Sequence, residues 1–337
     1  MKRNQTVFFK NKPTILAGYS IVGPKESKSV FADYFDYKLK SDFFGEKSFE
    51  KAERKILEHA IFGAFDKAGI NPNEVQALIS GDLLNQIISS SFAARQFDAS
   101  FIGLFGACST MAESLALGAC LVDGGFFEKL ICATSSHFSS AERQFRFPLE
   151  LGNQRPPTSQ WTVTGAGATI LSSKGKGPKI TCATFGKVMD YGIKDVNNMG
   201  AAMAPAAAST LKAHFDETNS KPEDYDLIVT GDLGKLGSEI LLDLLEDENI
   251  KLGTNYNDCG QMIFDKNEKA FMGGSGAGCS AVILNSYIMK KLLTGEFKKI
   301  LFVATGALLS TLSSQQGDSI PAIAHAVEIE SDKGGEK

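Results

Sequence analysis

Short apolar runs alternate along this chain with segments whose apolar residues recur every third or fourth position. Over 48–68, Ala52, Ile56, Ala60, Ala64 and Ala68 recur at spacing four, with Phe49, Leu57, Ile61 and Phe65 beside them. That is one face of an amphipathic helix, and Gly69 is placed to stop it. The pattern then predicts a strand at 77–79, a helix over 85–96 and a buried strand at 102–105 that runs into Gly106. A helix over 109–122 and a strand at 129–134 come next. Strands at 164–172 and 179–188 complete the first half. Helices near 202–215, 238–245 and 281–293, with strands near 227–230, 299–304 and 322–329, repeat the order. Such alternation predicts parallel sheets covered by helices. Residues 331–337 are expected to be disordered.

The repetition is also literal. VQALISGDL at 75–83 answers YDLIVTGDL at 225–233, which makes Asp82 and Asp232 equivalent. The block from GACS to FFEKLICA at 106–133 answers AGCS to FKKILFVA at 277–304, matching Cys108 to Cys279, Gly124 to Gly295 and, just beyond, Thr134 to Thr305. The second block sits at a longer offset, so an insertion separates Asp232 from Cys279, assigned to the polar stretch 246–269. The expected fold is α/β, a five-layered α-β-α-β-α sandwich of two duplicated halves, 1–188 and 189–337.

Composition narrows the function. With 337 residues, 43% hydrophobic and 22% charged, the chain is ordinary for a globular protein. A net charge of −4 argues against nucleic acid as a partner, which needs a basic face. The N-terminal stretch has no apolar core of roughly 7–15 residues such as a signal peptide carries. No apolar run reaches the roughly 18 residues of a membrane span, so any membrane contact is expected to be peripheral. The six cysteines have neither metal-ligand spacing nor the look of a disulfide framework, which points to a reducing compartment.

Candidate chemistry centres on Cys108, where a strand turns sharply into a helix. Free amides and the helix dipole at such a turn favour a thiolate and can hold a carboxylate or an oxyanion. The plainer alternative is a small buried hydrophobe. Asp82 and Asp232 are candidate caps of the helices after them; for Asp82 the alternative is to meet a ligand. His137 and His325 are candidate pocket residues or hydrogen-bonded structural ones; His59 reads as a solvated face and His214 as structural. Arg143 and Arg146, in ERQFR at 142–146, are the best source of local positive charge. The glycines of 164–168 and 273–278 lack the spacing of a dinucleotide fingerprint.

The alanine–cysteine turn in a duplicated βα unit resembles the thiolase and ketoacyl synthase superfamily. GDLLNQ at 81–86, LFGACSTMAESLALGACLVDGGF at 104–126, ATSSHFSSAERQFRFP at 133–148, MGAAMAPAAA at 199–208, DYDLIVTGDLGKLGS at 224–238, GGSGAGCSA at 273–281 and VATGALLS at 303–310 resemble one branch, the stage V sporulation protein AD family. The resemblance implies binding of dipicolinic acid, free or as its calcium complex, for uptake into the developing spore. It implies a protein peripheral to the inner spore membrane, working beside membrane proteins of the same operon, and a homodimer. No resident cofactor is expected; calcium enters only with the ligand. Condensing enzymes of the superfamily add two histidines, or a histidine and an asparagine, from the second half. Here those places hold Gly231–Asp232 and Gly273–Gly274–Ser275, which counts against catalysis. The expected ligand residues are Cys108, His137, Asp82, Arg143, Arg146, Asn85 and His325. An arginine pairs bidentately with a carboxylate, although Arg143 and Arg146 serve equally well as salt bridges at a dimer interface; Asp82 suits a hard cation. The alternatives are an acyl-thioester enzyme using Cys108 and a structural adaptor or plug of a spore membrane channel.

Overall fold

Ser48 opens the first long helix, its hydroxyl accepting from the Lys51 amide, and Gly69 closes it at φ 66°. Between them α1 (Phe49–Ala68) turns Ile56, Leu57, Ala60, Ile61 and Ala64 onto a sheet. The structure, a computed structural model, describes residues 4–145, 155–264 and 270–335. Its first strands are β1 (Thr6–Phe8), β2 (Thr14–Val22), β3 (Tyr37–Lys38), β4 (Ala77–Gly81), β5 (Ser100–Gly103), β6 (Lys129–Ser136), β7 (Trp161–Thr162) and β8 (Gly165–Ser172). Then come β9 (Lys179–Thr184), β10 (Leu227–Thr230), β11 (Tyr256–Asp258), β12 (Gly274–Ser275), β13 (Lys299–Ala307) and β14 (Ala322–Glu330). The helices after α1 are α2 (Ile88–Ala93), α3 (Thr110–Asp123), α4 (Phe138–Phe145), α5 (Met199–Thr218), α6 (Gly234–Asp247), α7 (Cys259–Phe264), α8 (Ala277–Ile283), α9 (Met289–Thr294) and α10 (Thr311–Gln315).

The duplication holds strand for strand. One half orders its strands β2-β8-β6-β4-β5, the other β9-β14-β13-β10-β11, and a single pairing of Thr14 with Lys179 links them. Both sheets are mixed rather than parallel. β4, β5 and β6 run parallel, but β8 is antiparallel to β2 and β6; β14 is likewise antiparallel to β13 and β9. The chain returns into β8 and β14 from the end where β6 and β13 stop, which makes an antiparallel neighbour. The strand expected to close the first half, β9, pairs with β14 and so opens the second sheet.

Alternation along the strands builds the layers. Leu130 and Cys132 of β6 and Ile300 and Phe302 of β13 face the middle, around α3 and α8. Ile131 and Ala133 face α1, whereas Leu301 and Val303 face α5 and α6. The order is therefore α1/α2, sheet, α3/α8, sheet, α5/α6: the expected five layers.

Local departures have local causes. The helix expected over 85–96 is three short turns, with Gln86 and Ile87 at φ 55° and 46°. Asp82 accepts from the amides of both Leu84 and Ser90, which holds the intervening chain in a loop. A π turn, Leu284–Ile288, separates α8 from α9, where the Asn285 amide donates to Ala281 O and its carbonyl accepts from Thr169. The supposed insertion contains β11, the counterpart of β5; α7, after β11, is the added element. Residues 331–335 are more ordered than expected. Ser331 is buried and donates to Leu292 O at 2.7 Å, and a 3-10 turn covers Asp332–Gly335. β5 is not buried: it is an edge strand with Phe101 exposed.

Candidate functional site

Where β5 gives way to α3, Gly106 leads into a 3-10 turn at Ala107–Ser109. Ala107 adopts φ 50°, a left-handed conformation that a residue with a Cβ resists. Two short bonds fasten the turn: Ser109 Oγ donates to Gly106 O and Thr110 Oγ1 to Ala107 O, both at 2.7 Å. β13 closes over it. A Cβ on Gly306 would lie 2.2 Å from Gly106 O, so only glycine permits this approach.

Cys108, 9% exposed, is thereby set against the C-terminal end of β10. There the buried Asp232 carboxylate accepts from Thr305 Oγ1 at 2.8 Å and from Ser275 Oγ and the Gly276 amide at 3.0 Å. Its charge acts on the neighbouring Cys108 thiol. Burial and then the charge of Asp232 push that thiol well above its ordinary range. A thiolate is therefore disfavoured at this helix start: desolvation and the Asp232 charge outweigh the dipole.

Cys108 opens onto a small, partly enclosed pocket. Its apolar wall includes Leu83, Phe105, Phe145, Met199, Met203 and Leu309. Its polar side comprises Cys108, Glu142, Gln160, Thr162, Asn197 and Ser275. Gln160 Nε2 donates to Asp232 O at 2.6 Å and to Gly274 O at 2.9 Å, stitching the two second-half loops together. Behind Glu142 lies Arg155, at 2.5 Å from Glu142 Oε1.

A family profile, stage V sporulation protein AD, matches residues 3–330. The stage V sporulation protein AD of Bacillus subtilis (strain 168) is 44% identical over 326 residues, covering 97% of this chain and 96% of its own. This chain belongs to the stage V sporulation protein AD family. Solved structures share the fold at low identity. Xanthomonas campestris OleA H285N with cerulenin superposes with a TM-score of 0.60 at 12% identity, covering 96% of this chain and 98% of that one. The 3-oxoacyl-[acyl-carrier-protein] synthase III of Aquifex aeolicus VF5 gives 0.58 at 13%, covering 94% and 99%. A member of this sporulation family thus has a thiolase-like fold, with a carboxylate and a serine hydroxyl facing its turn cysteine.

Among the described residues, the structure brings only Cys108 of the expected ligand residues to the pocket. Asp82, on the equivalent of the Asp232 strand, is buried and takes the amides of Leu84 and Ser90, the capping role. His137 is buried away from the pocket: its Nδ1 accepts from the Ser139 amide and its Nε2 faces Asp42 O at 2.9 Å, which fixes a neutral ring. His325 lies in β14, accepting from the Gly186 amide at 3.3 Å, and burial pushes its pKa down to about 4. Arg143 pairs with Glu50 on α1. Asn85 is exposed, its amide held by Gln144 Oε1. Arg146 lies outside the described residues. His59 is half-buried among Tyr37, Phe44 and Tyr19 rather than solvated. His214 is structural as expected, bonded to Thr184 and Tyr225.

Sequence reasoning misses Asp232 as a pocket partner, along with Ser275, Glu142, Gln160 and Arg155. The repeat singles out Asp232, but equally as a cap. Among the described residues, Cys182, His214 and Glu328 are the one grouping with metal-ligand chemistry. Thr184 and Tyr225 already engage His214, and Thr181, Tyr225 and Lys299 engage Glu328, so the cluster is a structural polar network. No helix among the described residues is long and apolar enough to cross a membrane.

Proposed function

We propose that this protein binds dipicolinate, free or as its calcium complex, in the Cys108 pocket, as a step in loading it into the developing spore. The observation that carries this is the company Cys108 keeps. Condensation needs groups that polarise a carbonyl and move protons on demand. Cys108 instead is buried beside a carboxylate locked by three donors, and burial first, then that charge, keep the thiol neutral. A pocket with a large apolar wall and a few polar groups suits a flat aromatic ligand. On this reading the duplicated scaffold is kept for recognition, and turnover is lost. Membrane proteins of the same operon would receive the cargo at the inner spore membrane.

Isothermal titration calorimetry of the purified protein with dipicolinate, with and without calcium, tests this. Saturable binding that weakens in Cys108→Ala, together with no Cys108-dependent acyl-thioester turnover, is the expected outcome. Absence of binding up to millimolar ligand would overturn it. Thioester turnover that disappears in Cys108→Ala would instead establish the condensing-enzyme reading that the fold also accommodates.

A further inference from the structure

The polar side of the pocket poses a charge problem for any dicarboxylate. Among the described residues that line it none is a lysine or an arginine, and one is an acid, Glu142. A dianion entering such a site needs a counter-charge. Arg155 is one layer behind. Its side chain is 8% exposed, and its guanidinium lies 5.0 Å from the ring centres of both Phe138 and Trp161, which are themselves stacked at 3.8 Å. Nη1 donates to Gln160 O at 2.8 Å. Nη2 faces Glu142 Oε1 in ion contact but has no aligned hydrogen bond, and is buried. Arg155 is therefore held in place by rings and one carbonyl, with one arm of its fork on a pocket-lining carboxylate.

We propose that Arg155 is the carboxylate-binding residue of this pocket and that Glu142 is its internal placeholder, displaced when a ligand carboxylate takes the guanidinium. This rests on the dicarboxylate reading above and deepens it. The exchange keeps Arg155 paired in both states, while Glu142 swings out to the pocket mouth and its charge returns to water. It gains the parallel two-bond geometry that a guanidinium offers a carboxylate. The aromatic stack keeps the arginine pre-organised, which lowers the ordering cost of binding. The same exchange makes affinity depend on how tightly Glu142 competes. The sequence pattern favours Arg143 and Arg146 for this role; of these Arg143 is engaged by Glu50 on α1.

The test compares wild type with Arg155→Met, Arg155→Lys and Glu142→Gln by calorimetry, using dipicolinate and the monocarboxylate picolinate. Arg155→Met is expected to weaken dipicolinate at least thirtyfold and to erase the preference for dipicolinate over picolinate. Arg155→Lys, which keeps the charge and loses the fork, is expected to fall between. Glu142→Gln is expected to bind several-fold tighter, because the competitor has gone. Near-wild-type affinity in Arg155→Met, or loss of binding in Glu142→Gln, would overturn the exchange and leave the pair as a fixed buried salt bridge. If wild type binds no dipicolinate, the functional reading fails on its own. Arg155 is then tested by thermal shift with benzoate and malonate: stabilisation present in wild type and absent in Arg155→Met sustains it, and equal behaviour of the two proteins overturns it.

Discussion

Asp82 and Asp232 close equivalent strands, yet one carboxylate caps a helix and the other faces a thiol. Their neighbours make the difference. After Asp82 the chain supplies amides from Leu84 and Ser90, whereas beside Asp232 the glycine-rich loop and Thr305 supply the donors. Asp232→Asn removes one cause of the raised thiol pKa while burial remains, so the pKa falls toward the ordinary thiol range. Alkylation of Cys108 by iodoacetamide at pH 8, read by mass spectrometry, is expected to be several-fold faster in that variant. An unchanged rate would mean that burial alone protects the thiol. Cys108 is legible in the sequence because a turn, a repeat and a helix start coincide there. Glu142, Gln160 and Arg155 are not, because their roles arise from chain segments that meet only in three dimensions. His137 misleads for the same reason: its place after a strand suggests a pocket, while its two ring nitrogens are spent on Ser139 and Asp42.

Elements with a strong periodic face can be read almost to the residue, as α1 with Ser48 and Gly69 at its ends shows. The segment 85–96 fails because buried side-chain caps beat a weak helical pattern, a competition that spacing does not display. The mixed sheet direction is hidden as well, since a strand's hydrophobicity carries no direction. At this scale the most exacting contact is the one between β13 and the cysteine turn. Gly306→Ala places a Cβ 2.2 Å from Gly106 O and 3.3 Å from the Cys108 amide, against backbone that cannot swing aside. Such overpacking costs about 3 kcal/mol. A chemical denaturation midpoint should register that loss, and dipicolinate binding should weaken because the turn shifts. A variant of full stability and affinity would show that the two strands part more easily than their geometry implies.

Across the whole molecule, buried titrating groups set the response to pH. Burial pushes Glu26 up to about 8 and Asp258 up to about 7, and burial with the nearby Asp82 charge raises Glu53 as well. Such groups stabilise the fold fully below their unfolded pKa, near 4.5 for Glu, and the gain is lost as pH climbs through the folded value. His214 and His325, both depressed to about 4, act oppositely: their contribution is present above about 6.5 and is lost as pH falls toward 4. The two sets offset each other between about 4.5 and 6.5 and leave a decline from about 6.5 to 8. Urea midpoints measured across that range should fall in wild type and flatten in Glu26→Gln; a pH-independent midpoint would refute the assignment. β5 leaves an open sheet edge, with Phe101 on it and Phe105 just beyond it 37% and 49% exposed, and we propose that edge as the seam of the homodimer that the resemblance implies. Phe105 also lines the pocket, so pairing there would help to close it. Sedimentation analysis of Phe101→Asp is expected to shift a dimer toward monomer, and an unaffected dimer would place the interface elsewhere.

The most direct test of dipicolinate binding in the Cys108 pocket is a crystal structure of the protein grown with that ligand. The expected result is the pyridine ring against Phe145 and Met203 above Cys108, with one carboxylate on Arg155. Density for the ligand at another surface, or an empty Cys108 pocket in a protein that binds dipicolinate in solution, would contradict it.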